Sequence, residues 1–402
     1  MNKEPVKDWK RVRLGEYVIS VKGKKPKRIS PVKTKECSMP YVNIKAFEKK
    51  VIDEYTDGIG CALCDEGDFL MVWDGSRSGY VGKAIKGAIG STLVKLNFPN
   101  INNNYAYYFL QSKFIEINTK AKGVGIPHVD PNILWNYELF IPPPKTQLFI
   151  VSKIEELFSK LDKGIETLLT AQQQLKTYRQ SVLKWAFEGR LTNTNIKEGE
   201  LPNGWKWKKL GELMESVRNG YSKKPGEIGS FKILRISSVR SNKVSIDEFR
   251  LLENEISLEN ALCENDLLFT RYNGSIDFVG VCGRVPKLKE KIFYPDKLIR
   301  CRPKIKEWFH SAYIDYAANS RLARQFVLSK IKTTAGQTGI SGSDIKEIPI
   351  PLPPLEEQFK IVLALESRLS VADKMEENIT QSLQQAEALR QSILKKAFEG
   401  KL

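Results

Sequence analysis

The sequence predicts an α+β protein built as an internal repeat: two mixed α/β domains, each followed by a long helix, with the two helices paired. Three observations predict it. The segment Gln147–Leu191 aligns without a gap on Gln358–Leu402, with 20 identities in 45 positions. Each copy follows a proline cluster, Ile141-Pro142-Pro143-Pro144 and Ile350-Pro351-Leu352-Pro353-Pro354, where a strand must stop and a helix can open. Ahead of each cluster lies a stretch of short β-rich runs whose anchors repeat while the residues between them differ. A chain of 402 residues has room for several such units.

The first domain takes residues 1–145. It opens with Trp9-Lys10-Arg11-Val12-Arg13-Leu14-Gly15-Glu16, which the second domain repeats as Trp205-Lys206-Trp207-Lys208-Lys209-Leu210-Gly211-Glu212. A strand is expected at 16–21. Pro40–Ile44, Phe69–Trp73 and Leu267–Thr270 read as further strands, bounded by Gly, Asp and Asn. Gly67-Asp68-Phe69-Leu70 matches Asn265-Asp266-Leu267-Leu268, and Tyr80-Val81-Gly82 matches Phe278-Val279-Gly280. Gly125-Ile126 and Asp130 match Gly339-Ile340 and Asp344. Helices are expected around 105–113 and 308–329. The first repeated helix occupies 146–192, a polar linker 193–203, the second domain 204–355 and the second repeated helix 356–402.

In the first repeated helix apolar residues fall at 150, 154, 157, 161, 168, 175, 178 and 182. Steps of three and four make an a/d seam. Gly164 and Ala171 take seam positions without a large side chain, and Gly189 and Gly400 stand where a C-cap glycine belongs. A helix of about 42 residues runs roughly 63 Å, longer than a small domain is wide. It needs a partner along its length, and the other copy is the obvious one.

Composition narrows the chemistry. Lys and Arg number 64 against 47 Asp and Glu, a net charge of +17. That favours a polyanion, nucleic acid or an acidic membrane surface. No run of 18 apolar residues is present, so no transmembrane helix is expected. The first residues, Met1-Asn2-Lys3-Glu4-Pro5, lack the apolar core of a signal peptide, which points to the cytoplasm, with the six cysteines reduced. Cys61-Ala62-Leu63-Cys64 has knuckle spacing, but four zinc ligands would need Cys37 and His128 from far off, and the second domain has no such pair. No metal site is expected. Only two histidines occur, and there is no Walker loop, no Gly-x-Gly-x-x-Gly after a strand and no Asn/Asp-Pro-Pro-aromatic tetrapeptide. By elimination the chain carries no catalytic residues.

The basic residues are more informative. The first 50 residues hold 15 Lys and Arg against 5 Asp and Glu. Lys22, Lys24, Lys25, Lys27 and Arg28 lie in one expected loop, and Arg218, Asn219, Tyr221, Lys223 and Lys224 lie at the matching place. Paired loops of this kind suit phosphate or base contacts. A second pair follows the central strand and supplies Arg77 and Ser78, then Arg271, Tyr272 and Asn273. Arginine reads guanine and asparagine reads adenine in the major groove. A third, glycine-rich pair carries His128 and Gln337.

This organisation resembles the specificity subunit of type I restriction–modification enzymes. The resemblance covers essentially the whole chain. It rests on the two-copy order, on Ile350-Pro351-Leu352-Pro353-Pro354-Leu355-Glu356-Glu357-Gln358 and on the two Ala-Phe-Glu-Gly-[Arg/Lys]-Leu helix ends. The first copy, Pro142-Pro143-Pro144-Lys145-Thr146-Gln147, keeps the glutamine and loses the acidic pair. The resemblance implies two target-recognition domains, each reading one half of a split site in double-stranded DNA, and two spacer helices packed as an antiparallel coiled coil with pseudo-twofold symmetry. It implies two methyltransferase subunits carrying S-adenosylmethionine, and two motor–nuclease subunits carrying ATP and Mg, with no cofactor on this chain. Arg179, Gln180, Leu183 and Phe187, with Arg390, Gln391, Leu394 and Phe398, are the expected docking residues for those partners. Two other readings stay open at this stage. A self-contained DNA-modifying enzyme would methylate or cut DNA alone; a protein-interaction scaffold would bind no DNA.

Overall fold

The computed structural model describes residues 9–193, 196, 200–253, 257–304, 310–334 and 337–402. Packing divides the chain into two compact units, 1–169 with 380–402, and 170–379. The division falls inside both long helices, Pro144–Phe187 and Leu355–Phe398. Each unit thus holds one α/β domain, the start of that domain's own helix and the end of the other.

In the first unit Lys10–Arg13 pairs antiparallel with Glu138–Ile141, tying the two ends of the domain together. A four-stranded antiparallel sheet runs in the order Ile19–Lys22, Leu93–Asn97, Phe69–Val72, Val81–Lys83. Beside it, Met39–Val42 pairs in parallel with Gly87–Ile89. The helix Asn103–Thr119 buries Tyr105, Phe109, Leu110 and Ile117. Into the same core come Ile150, Ile154 and Phe158 from the first long helix and Ile393, Leu394 and Ala397 from the second.

The second unit repeats this plan. Lys206–Lys209 pairs with Pro349–Leu352. The sheet order is Met214–Asn219, Leu298–Pro303, Leu267–Thr270, Cys282–Arg284. Phe231–Leu234 runs parallel to Ile292–Phe293. Its core takes Val182, Ala186 and Phe187 from the first long helix and Ile361, Val362 and Leu365 from the second. Here the helices run antiparallel, since Arg179 pairs with Asp373 and Glu376 at 2.7 and 2.9 Å while Thr192 donates to Glu357 at 2.7 Å.

A buried glutamine explains why both helices open on the same residue. The Gln147 amide donates to the Pro142 carbonyl at 2.8 Å and accepts from the Asn102 N–H at 2.9 Å. Gln358 does the same with Pro353 and with the His310 N–H, at 2.8 and 2.7 Å. Each side chain locks the start of a long helix to the start of a domain helix and satisfies two backbone groups that burial would otherwise orphan. The strand anchor repeats in the same way. Asp68 accepts from the Asp65 N–H and pairs with Lys95; Asp266 accepts from the Cys263 N–H and pairs with Arg302 at 2.8 Å. The residue before each aspartate, Gly67 or Asn265, has φ of 81° or 69°, the left-handed turn that glycine and asparagine tolerate.

Several local expectations shift. The strand expected at 16–21 is Ile19–Lys22, because Leu14–Glu16 winds into a 3-10 turn closed by the Tyr17 N–H on the Leu14 carbonyl. Ile44 starts a helix, capped by the Asn43 side chain on the Ala46 N–H at 2.8 Å. The helical stretch at 308–329 is two helices, Ser311–Ala318 and Arg321–Lys330, the second capped by Ser320; Trp308 lies outside the described residues. The long helices end at Phe187 and Phe398, where Gly189 and Gly400 turn left-handed at φ 77° and 68°. Three anchor matches are out by three. Gly79 and Gly280, not Gly82 and Gly280, donate to the Val72 and Thr270 carbonyls; Val129, not Ile126, holds the place of Ile340; and Asp130 and Ser341, not Asp130 and Asp344, cap the following helix. Among the described residues no helix is long and apolar enough to cross a membrane. In the linker, 194–195 and 197–199 lie outside the described residues.

Candidate nucleic-acid interface

The strand Ile19–Lys22 runs directly into the basic loop. The Gly23 N–H bonds to the Leu93 carbonyl and the Lys24 N–H to Ile89, holding the loop against the sheet end. A Cβ on Gly23 would lie 2.2 Å from the Gly90 carbonyl, so only glycine fits this approach. Gly220 meets the same limit in the second unit, 2.2 Å from the Tyr294 carbonyl. Soon after each glycine come exposed lysines, Lys24 and Lys25 in the first unit and Lys223 and Lys224 in the second.

The second and third loops of the first unit join the first. Lys22 pairs with Asp74 at 3.1 Å. The Gly75 N–H bonds to the Pro127 carbonyl at 2.8 Å, and His128 bridges to both Asp74 and Lys122. In the second unit Tyr221 exchanges backbone bonds with Tyr294 and Asp296. The Arg271 N–H bonds to Lys297 at 2.8 Å, and Tyr272–Asn273 forms a strand with Gln337–Gly339, which pairs in turn with Lys332–Thr334. Three loops far apart in sequence therefore converge at one end of each sheet.

The chemistry on offer is cationic and open. Lys24, Lys25, Lys27 and Arg28 are exposed, as are Lys223 and Lys224, and among the described residues none of them forms an ion pair. Arg218 pairs with Glu259 at 3.2 Å, both side chains exposed. Asn219 is exposed beside it. Arg271 lies over the Tyr272 ring at 4.7 Å and opens on a concavity of about 410 Å³. Lys330, Lys332, Ser341 and Asp344 line its other walls. Asn273 is half-buried, its side-chain oxygen accepting from the Ser275 N–H at 3.1 Å. Sequence reasoning missed Lys330 and Lys332; their spacing of two, just ahead of a glycine-rich turn, was the available signal.

Some expectations fail at this site. Ser78 is fully buried and offers no atom to a duplex. Arg77 is held back: it pairs with Glu48 at 3.2 Å and stacks on Tyr80 at 4.0 Å. By hydrogen bonding, the residue that matches Arg271 is Trp73, stacked on Trp135 at 5.9 Å, since Val129 and Ile340 donate to the Trp73 and Arg271 carbonyls. The Gln337 side chain lies outside the described residues, as do Ala335 and Gly336.

The helix-end residues expected to dock partners are largely used inside the fold. Phe187 and Leu394 are buried, and Leu183 packs against the second core. Phe398 stacks edge-on against Tyr105 and Phe109 at 5.1 and 5.4 Å, and Phe187 meets Tyr313 at 5.5 Å. Arg390 pairs with Asp162 across the helices of the first unit, as Arg179 pairs with Asp373 in the second. These residues hold each domain to the end of the other copy's helix. Of the eight, Gln180 alone is exposed; Gln391, like Arg179, Leu183, Arg390 and Phe398, is half-buried.

Cys37, Cys64, Cys282 and Cys301 are buried in the cores, Cys61 is half-buried and Cys263 is exposed. Burial pushes the Cys64 thiol up to about 11. Among the described residues no group of three or more metal-ligating side chains gathers.

Residues 6–171 and 202–385 match the family model described as the type I restriction modification DNA specificity domain. The EcoKI specificity subunit of Escherichia coli (strain K12) is 39% identical over 295 residues, covering 71% of this chain and 62% of that protein. The StySPI subunit of Salmonella potsdam is 32% identical over 75% of this chain and 66% of its own. This chain thus spans just under two thirds of the length of those two relatives. The MjaVIII subunit of Methanocaldococcus jannaschii is 26% identical over 98% of this chain and 93% of its own. Among solved structures, a chain of a type I R-M system shares the fold at TM-score 0.76 and 20% identity, covering 100% of both chains. The HsdS subunit from Thermoanaerobacter tengcongensis does so at TM-score 0.54, with 20% identity over 100% of this chain and 99% of that one.

Proposed function

The chain belongs to the type I restriction–modification DNA specificity family, and on that premise we propose that it is the DNA-reading subunit of such a complex. Residues 1–145 and 204–355 each read one half of a split, asymmetric site in double-stranded DNA. Each domain is followed by its repeated helix, 146–192 and 356–402, and the linker 193–203 connects the first helix to the second domain. The observation that carries this reading is the convergence of the same three loops in both copies, each set presenting unpaired lysines or arginines. Lysines on flexible stems suit phosphates, and Arg271 beside its concavity suits a base edge. The chain itself performs no bond chemistry. Two methyltransferase subunits supply S-adenosylmethionine and the methyl transfer. Two motor–nuclease subunits supply ATP hydrolysis with Mg and cleavage. The complex works in the cytoplasm, where its DNA is.

The test uses the chain assembled with its methyltransferase subunits. Affinity for duplex DNA should fall linearly with salt on logarithmic axes, and mapping of methylated sites should return two unlike half-sites around a fixed unread gap. A salt-independent affinity, or a contiguous site, overturns the reading. Methylation by the chain alone, given labelled S-adenosylmethionine and DNA, would overturn the non-catalytic assignment.

A further inference from the structure

The loop between Lys122 and His128 carries two side chains that its surroundings do not explain. Val124 is wholly exposed and Ile126 is 70% exposed, at the tip of a hairpin. Exposed β-branched residues at a turn of this kind gain nothing from the fold. The hairpin is nevertheless well held. Lys122 and His128 exchange backbone bonds at 2.9 and 2.7 Å, Pro127 accepts from Gly75, Val129 donates to Trp73, and Lys122 pairs with Asp130 at 2.9 Å. Gly123 sits at φ 109°, and a Cβ there would lie 2.5 Å from the Ile126 carbonyl. Thus the backbone is tightly folded while Val124 and Ile126 are pushed outward. Lys22 is tied to the same turn through Asp74, and the free cations Lys24 and Lys25 follow it.

We propose that Val124 and Ile126 form an apolar tip that enters the major groove and packs on a thymine C5-methyl in the half-site read by the first domain. This rests on the DNA-reading function above and names one of its contacts. A two-stranded ribbon fits the major groove, and the thymine methyl is the one apolar group displayed there. The flanking lysines would hold phosphates on either side and so aim the tip inward. Neither side chain is part of the core, so shortening them leaves the fold intact.

The experiment measures binding by the chain assembled with its methyltransferase subunits. Duplexes carry deoxyuridine in place of thymidine, one position at a time, through the first half-site. Loss of one packed methyl should weaken binding about fourfold. One position should show this loss with the unaltered chain. The double variant Val124→Ala, Ile126→Ala should bind the thymidine duplex more weakly and no longer distinguish the two. Equal binding to every deoxyuridine duplex overturns the proposal, as does a first half-site without an A·T pair. Weaker binding by the double variant with a bent duplex and no deoxyuridine effect makes the tip a wedge between base steps, and overturns it too. Failure of DNA binding altogether, or of its salt dependence, would instead remove the function on which the proposal rests.

Discussion

In the first unit Lys83 lies over the Tyr107 ring at 4.7 Å; at the matching place in the second, Arg284 stands near the carboxyl of Asp315, which is buried beside Cys282 and Asn319. The frame around both is the same. Tyr105 donates to the Phe140 carbonyl and Tyr313 to the Pro351 carbonyl, and the same two strands flank each. One sequence solved the polar station under the domain helix with a cation over a ring, the other with a carboxyl group. The reading end differs likewise, with Trp73 against Trp135 in one unit and Arg271 facing a concavity in the other. Repeated residues thus mark where the two domains are fastened, and differing residues mark where they are free to act.

The largest expected effects concern the fastening. Phe398→Ala and Phe187→Ala each leave a hole against a buried tyrosine, and each should cost its unit about 3–5 kcal/mol. Amide hydrogen exchange should show the loss in the first unit for Phe398 and in the second for Phe187. Equal loss in both units for either variant would break the division of the chain drawn above.

A smaller effect separates the two polar stations. Burial pushes the Asp315 carboxyl up to about 7. In the unfolded chain it ionises near pH 4. Between these values the unfolded chain gives up a proton that the fold keeps, so stability of the second unit should fall as pH rises from about 4 to 7 and level off above. The change is on the order of a few kcal/mol. Asp315→Asn should flatten that slope, measured as exchange protection in the second unit against pH.

At the reading end Arg271→Ala should cost about 1–3 kcal/mol in DNA affinity and relax one position of one half-site. Arg77→Ala should do less, since its guanidinium is already committed to Glu48 and Tyr80. Methylated-site maps of the two variants would sharpen the contrast; equal relaxation would erase it. Smallest of all, Lys24→Ala and Lys223→Ala should each lower the salt slope by about one and weaken every sequence alike.

The repeat, the helices and the α+β class were legible in the sequence because they rest on spacing. The a/d seam, the proline clusters and the C-cap glycines each act locally, so their signal survives without the fold. Gln147 and Gln358 were visible as a repeated letter, but their role was not, since the N–H groups they satisfy belong to Asn102 and His310, tens of residues away. The offsets at Gly79 and Asp130 misled for a related reason: identical letters near a turn need not hold identical hydrogen bonds. Phe187 and Phe398 looked like docking residues because apolar helix ends invite a partner, and the partner proved to be the chain's own domains. Arg77 and Ser78 sat in a loop of the right composition, yet Glu48 and the turn itself had claimed them.

The sharing of helix ends also governs how the molecule is made. The first domain needs Ile393, Leu394 and Phe398 to close its core, and these follow the whole of the second unit in sequence. All of 170–379 must leave the ribosome first. At about 5–20 residues per second that takes roughly 10–40 s. Through that interval the surface around Tyr105 and Phe109 waits uncovered. Synthesis of this chain therefore includes a window in which the first domain, already translated, is less finished than the second.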